Sequence, residues 1–139
     1  VHDVLLIEDN PHDSLFTVEA FAEVGAAVQV MVVKDGLEAL QYLRQEGRFA
    51  GSKRPDLILL DLNLPKKDGR AVLAEIKGDE KLAVIPVVVL TTSKAEVDIN
   101  TVYRLHGNCY VVKPIDFTRF VDIAGALVKF WFGTATLPN

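Results

Sequence analysis

The sequence predicts an α/β fold built on a parallel sheet, and three observations carry that reading. Short apolar runs at residues 4–7, 28–33, 57–60, 87–90 and 109–112 alternate in strict order with helical patterns. The runs are continuously apolar instead of alternating, which implies strands covered on both faces. No internal repeat, low-complexity stretch or linker breaks the order, so the 139 residues are expected to form one domain, 1–139, with no room for a second of ordinary size.

Each element has a local reason. Val4-Leu5-Leu6-Ile7 is a compact β-type run, and Asn10-Pro11 reads as a helix cap followed by a first-turn proline. That helix is expected to reach about Val24, with Gly25 as its stop. Val28–Val33 is the second strand, and Asp35-Gly36 introduces a helix over Leu37–Gln45. The polar, glycine-containing stretch Glu46–Lys53 is the expected mobile connection. Leu57–Leu60 is the third strand and Asp68–Lys77 the third helix. Pro86 introduces the strand Val87–Leu90, followed by a helix over Ala95–Leu105. Cys109–Val112 is the fifth strand, and the last helix runs from Asp116 to about Phe132. Right-handed crossovers leave few topologies for such a chain; the common one is flavodoxin-like, strand order 2-1-3-4-5 with helices on both faces.

Composition narrows the functional classes. The net charge of −4 argues against nucleic acid as a main partner, since phosphate binding needs a basic footprint. No apolar run reaches the ~18 residues of a membrane span, and none has the form of a signal peptide. The single cysteine, Cys109, excludes an intrachain disulfide and a cysteine-rich zinc site. A reducing, cytoplasmic setting is expected.

In an open parallel sheet, function gathers at the carboxyl ends of the strands. Here the first strand ends in Glu8-Asp9, the third in Asp61, the fourth in Thr91-Thr92 and the fifth in Lys113-Pro114. In the assumed order these ends converge. Three carboxylates at ~5 Å repel by about 3 kcal/mol per pair at an effective dielectric near 20. Protonation of one acid or a bound cation relieves that repulsion. Oxygen ligands without histidine point to a hard cation, Mg²⁺ or Ca²⁺, and a shallow site sharing a phosphate oxygen suits Mg²⁺. Lys113 and the Thr91 hydroxyl then read as a positive charge and a donor facing a phosphoryl group. Taken singly, each residue has an ordinary structural explanation: a helix cap at Asp9, a turn acid at Asp61, a strand-end hydroxyl at Thr91, a solvated Lys113. Their conjunction at four neighbouring strand ends is what points to a site.

These residues give the chain its resemblance to the receiver domains of two-component response regulators. Glu8-Asp9-Asn10, Asp35-Gly36-Leu37-Glu38-Ala39-Leu40, Pro55-Asp56 leading to Asp61, Pro65 with Asp68-Gly69, Pro86 leading to Thr91, and Tyr110-Val111-Val112-Lys113-Pro114 occur in the family's order across nearly the whole chain. The resemblance implies that Asp61 takes a phosphoryl group from a phosphohistidine on a sensor kinase. It implies that Asp9, Asp61 and the Asn63 backbone carbonyl ligate Mg²⁺, with Glu8 acting through water. Lys113 would pair with Asp61 and then with the phosphoryl oxygens, while Thr91 and Tyr110 move as the switch of the α4-β5-α5 surface. Lys67 departs from the apolar residue common in the family, and Thr92 is bulkier than the usual alanine, which implies restricted water access and slower loss of the phosphoryl group. Leu90–Ser93, Asn108-Cys109-Tyr110 and the tail Phe130–Gly133 with Leu137-Pro138 resemble the small regulators associated with bacterial phytochromes, which implies a bacteriophytochrome as the kinase.

Two rival classes share part of this pattern. A phosphatase of the haloacid dehalogenase type also uses a strand-end aspartate, but it wants a second acid two residues on, where this chain has Asn63. A receiver-fold binding and dimerisation module that never takes a phosphoryl group need not keep Asp9, Asp61, Thr91 and Lys113 together.

Phe117, Phe120, Val121, Ala124, Leu127, Val128 and Trp131 form one apolar stripe of the last helix, expected to cover the sheet. Ile123, Ala126 and Phe130 form a second row, roughly 90 to 150° round from the first. One core stripe cannot bury both, so a homodimer through this C-terminal helix is expected. His2, His12 and His106 share no metal-binding spacing, and Cys109 reads as a small core residue.

Overall fold

The computed structural model describes residues 1–25 and 27–138; Ala26 and Asn139, both inside the predicted 1–139 unit, lie outside the described residues. Parallel strands β1 (His2–Ile7), β2 (Val28–Val33), β3 (Leu57–Leu60), β4 (Val87–Thr91) and β5 (Cys109–Val112) form one sheet in the order β2-β1-β3-β4-β5. Helices α1 (Pro11–Val24), α2 (Gly36–Leu43), α3 (Gly69–Gly78), α4 (Glu96–Arg104) and α5 (Phe117–Val128) alternate with them. This is the predicted flavodoxin-like order.

Strand side chains point alternately to opposite faces, so each central strand feeds two cores. Leu5, Ile7, Ile58, Leu60, Val87 and Val89 pack against α2, α3 and α4. Val4, Leu6, Leu57, Leu59, Val88 and Leu90 pack against Phe21 of α1 and Phe120, Ala124 and Leu127 of α5. Each fully buried side chain of this size contributes roughly 1.5–3 kcal/mol, which is why continuous apolar runs occupy β1, β3 and β4. Burial on both faces does not extend to the sheet edges. On β2 Gln29 and Met31 are exposed, and β5 is half-buried throughout, Cys109 included.

Capping sets the helix starts. The Asn10 side chain accepts from the His12 and Asp13 N–H groups at 2.9 and 3.1 Å, and Pro11 needs no partner. Gly25 closes α1 at φ 73°, a conformation that favours glycine. Asp35, Asp68 and Asp116 cap α2, α3 and α5.

Two segments differ from the sequence reading. The stretch expected to be mobile is pinned to α2: Phe49 is buried edge-on against Tyr42, and Ser52 donates to the Tyr42 carbonyl at 3.1 Å. Its polar composition hid one aromatic anchor. The last helix ends at Val128 and continues as a π-helical turn, Lys129–Thr134. There Phe132 stacks on His2 with ring centroids 4.2 Å apart, while Phe130 stays 51% exposed. Of the second row on α5, Ile123 packs into the core and Ala126 is exposed.

Candidate functional site

The sheet ladder itself fixes the polar residues beyond each strand. Ile7 and Leu60 are paired, so Glu8 and Asp61 leave β1 and β3 at the same level. The Asp61 N–H still donates to the Ile7 carbonyl at 3.1 Å, and Lys113 N–H to the Thr91 carbonyl at 2.8 Å. These bonds extend the ladder one residue past the strands and hold the side chains at one edge.

The centre of the site is the Lys113 ammonium. Nζ donates to Asp61 Oδ2 at 3.0 Å, to Asp13 Oδ2 at 3.2 Å, and to Glu8 Oε1. The Lys113 side chain is only 6% exposed, Glu8 2% and Asp61 10%. A lysine directly after an apolar strand is therefore not solvated; it is the counter-ion of buried carboxylates. The sequence reading offered a proton or a metal cation as relief for the acids, and the chain supplies a third, its own lysine.

Burial and the electrostatics of this pair act in opposition. Burial raises Glu8 to about 7 and the Asp61 charge adds to it, while the Lys113 hydrogen bond works the other way. Burial would also lower Lys113, but the Glu8 hydrogen bond and the charge of Asp61 hold its ammonium above the ordinary lysine range. Acids still outnumber the cation. Glu8, Asp9 and Asp61 each place a carboxylate oxygen within 4.8 Å of the other two, with Asp9 exposed at the rim. An all-oxygen set of this size, open on one side, fits a hard divalent cation. The Asn10 N–H donates to Glu8 Oε2 at 3.2 Å, which orients that carboxylate. Asn63 lies in the exposed loop, its N–H directed at Asp61 Oδ1 at 3.4 Å.

Thr91 ends β4 fully buried, and its Oγ1 has no hydrogen-bond partner. An unsatisfied buried hydroxyl is costly, and an anionic oxygen at Asp61 would give it an acceptor. Tyr110 is half-buried and donates to the Ser93 carbonyl at 2.8 Å. Ser93 Oγ in turn donates to Asp98 Oδ2 at 2.6 Å, and Arg70 binds Asp98 Oδ1 through Nη2 at 2.6 Å. These bonds, Ser93 first and then Arg70, hold Asp98 below the usual carboxylate range. The loop after β4 is thus tied to α3, α4 and β5 at once.

Lys67, where the chain departs from the usual apolar residue, pairs with Glu75, and its backbone presses on Gly36, where a Cβ would lie 2.2 Å from the Lys67 carbonyl oxygen. Sequence reasoning missed Asp13 and the Arg70–Asp98–Ser93 chain. Asp13 reads as an ordinary first-turn acid of a helix, and only the folded sheet brings it to a lysine 100 positions away. None of the three histidines joins the site.

A receiver arrangement is what this fold and edge define, and sequence comparison agrees. The profile of the response regulator receiver domain matches residues 4–124, and the chain belongs to that family. It is 46% identical over 135 residues to response regulator Rcp1 of Synechocystis sp. (strain ATCC 27184 / PCC 6803 / Kazusa), covering 97% of this chain and 92% of the relative. Among solved structures, it is similar to the phosphorylated cyanobacterial phytochrome response regulator RcpA, with TM-score 0.94, 52% identity and full coverage of both chains. It is also similar to the Mn²⁺-bound form of Rcp1, with TM-score 0.92, 45% identity and full coverage of both.

Proposed function

We propose that the chain is a phosphorylation-dependent switch of a two-component relay, in which a sensor histidine kinase donates a phosphoryl group to Asp61. The observation that carries this reading is the Lys113 ammonium 3.0 Å from Asp61 Oδ2, buried beside Glu8 at a strand edge. An Asp61 oxygen attacks phosphorus, the P–N bond to the kinase imidazole breaks, and the leaving nitrogen keeps the bonding pair. Phosphoryl transfer passes through a loose transition state, so the protein's work is mainly positioning and charge neutralisation.

Glu8, Asp9, Asp61 and the Asn63 carbonyl are the residues proposed to hold Mg²⁺, Glu8 through water. The ion would neutralise charge on the transferring oxygens. Lys113 exchanges part of its carboxylate contact for a phosphoryl oxygen. Thr91 donates its unpartnered hydroxyl to another, and the loop it starts carries that displacement to Ser93. Tyr110 and Asp98 both hold Ser93, so the α4-β5-α5 surface repacks.

The relatives that are phytochrome response regulators support a bacteriophytochrome-type kinase as donor, in the cytoplasm. A second copy of the chain is the proposed partner at α5, where exposed Ala126 and Phe130 border a groove of about 400 Å³ with Cys109, Leu127 and Trp131. Thr92 lines a surface groove with Lys113 and Pro114, and its bulk is proposed to shield the acyl phosphate from water there.

Intact mass after incubation with Mg²⁺ and phosphoramidate tests the chemistry. One phosphoryl adduct is expected on the native chain, none without Mg²⁺ and none on Asp61→Asn. An adduct that persists in Asp61→Asn would place the acceptor elsewhere. No adduct from any donor would leave a phosphate-independent binding module.

A further inference from the structure

The third partner of Lys113 has no part in the chemistry above. An ammonium has three N–H donors, and here they go to Glu8, Asp61 and Asp13. A phosphoryl oxygen on Asp61 can be gripped only if one of those contacts is released. Glu8 and Asp61 are nearly buried, so leaving either unpaired is costly. Asp13 is different. Its side chain is 38% exposed in the first turn of α1, where water can replace the ammonium at little cost.

We infer that Asp13 is a positioning residue that parks Lys113 when the acceptor is empty and competes with the phosphoryl group for it. The inference rests on the proposed phosphorylation of Asp61. Asp13 carries negative charge close to the place where a dianionic group must arrive, so it opposes occupancy twice: by holding the lysine and by repulsion. Toward a divalent cation at Glu8, Asp9 and Asp61 the same charge acts with the opposite sign and aids binding.

That opposition of signs is the test. Beryllofluoride, a phosphoryl mimic, is titrated into the full chain at saturating Mg²⁺ and followed by ¹⁹F and amide NMR; Mg²⁺ alone is titrated separately. Asp13→Asn keeps the shape of the side chain, Asp13→Ala removes it, and Glu19→Gln removes a charge from the exposed part of α1. Both Asp13 variants are expected to bind beryllofluoride about two- to fivefold more tightly and Mg²⁺ about two- to fivefold more weakly, the range of a partly exposed ion pair. Glu19→Gln is expected to change neither. Unchanged or weaker beryllofluoride binding in well-folded Asp13 variants overturns the inference, as does an equal gain in Glu19→Gln, which would reduce the effect to net charge. If the native chain binds no beryllofluoride, the phosphoacceptor reading fails first and this inference falls with it.

Discussion

Replacing Lys113 by Met is expected to destabilise the fold by about 3–5 kcal/mol at neutral pH, the cost of removing one partner from a buried ion pair. Glu8 and Asp61 would then face each other without their counter-ion, at exposures too low for water to take its place. The loss should depend on pH in a definite direction. In the native chain Glu8 is already raised from its ordinary value to about 7 by burial and by Asp61, against the pull of Lys113. A carboxyl raised in the folded state adds stability below its unfolded value, near 4.5, and loses that contribution as pH rises through its folded value. Without Lys113 the folded value moves further up, so Lys113→Met should be closer to native at pH 5 than at pH 8. Urea unfolding at both pH values, in chelator, measures this. Equal losses at the two would mean that Lys113 contributes through its aliphatic stem and not its charge. Phosphorylation of the variant should be nearly abolished under conditions where it remains folded.

The second large effect is expected at Gly69. Here the reason is close approach. A Cβ at Gly69 would lie 2.3 Å from the Asp61 carbonyl oxygen and 2.6 Å from the Leu62 Cα, both backbone atoms that cannot swing aside. The Gly69 N–H also donates to the Leu62 carbonyl at 2.8 Å, so the start of α3 is seated directly on the acceptor loop. Gly69→Ala should therefore cost about 3 kcal/mol, at the upper end for overpacking, and should slow phosphorylation by displacing Asp61. Gly78→Ala is the matched control, because a Cβ there meets nothing within 4 Å. It should unfold at or slightly above the native temperature, since alanine restricts the unfolded chain more than glycine. Thermal unfolding of the two variants decides; a Gly69→Ala chain as stable as Gly78→Ala would show that the loop yields freely.

What could be read from the sequence follows from which forces act locally. The central strands were legible because burial on two faces demands continuous apolar runs. The convergence of Glu8, Asp61, Thr91 and Lys113 on one edge was legible because strand order fixes which ends are neighbours. Helix starts at Pro11, Gly36 and Gly69 lie within one residue of the expected positions, since a capping side chain is itself a local signal. Contacts made by reach were not legible. Asp13 meets Lys113 only after α1 has packed against α5, and Arg70 meets Asp98 across 28 residues. The end of α5 was misjudged for a related reason. The helix expected to run to about Phe132 is α-helical only to Val128, and the π-helical turn from Lys129 changes the phase and brings Phe132 onto His2. The pinned segment around Phe49 shows the same limit, because one buried ring outweighs a polar neighbourhood.

The central claim, that Asp61 is the phosphoryl acceptor, is tested most directly by locating the adduct. Borohydride reduces an acyl phosphate to an alcohol, so an aspartyl phosphate becomes homoserine, which peptide mass mapping can place. The chain loaded with Mg²⁺ and phosphoramidate and then reduced should carry homoserine at position 61 and at no other aspartate. Homoserine at another acid of the cluster, such as Asp9 or Asp13, or a phosphoryl group that resists borohydride on a histidine, would contradict it.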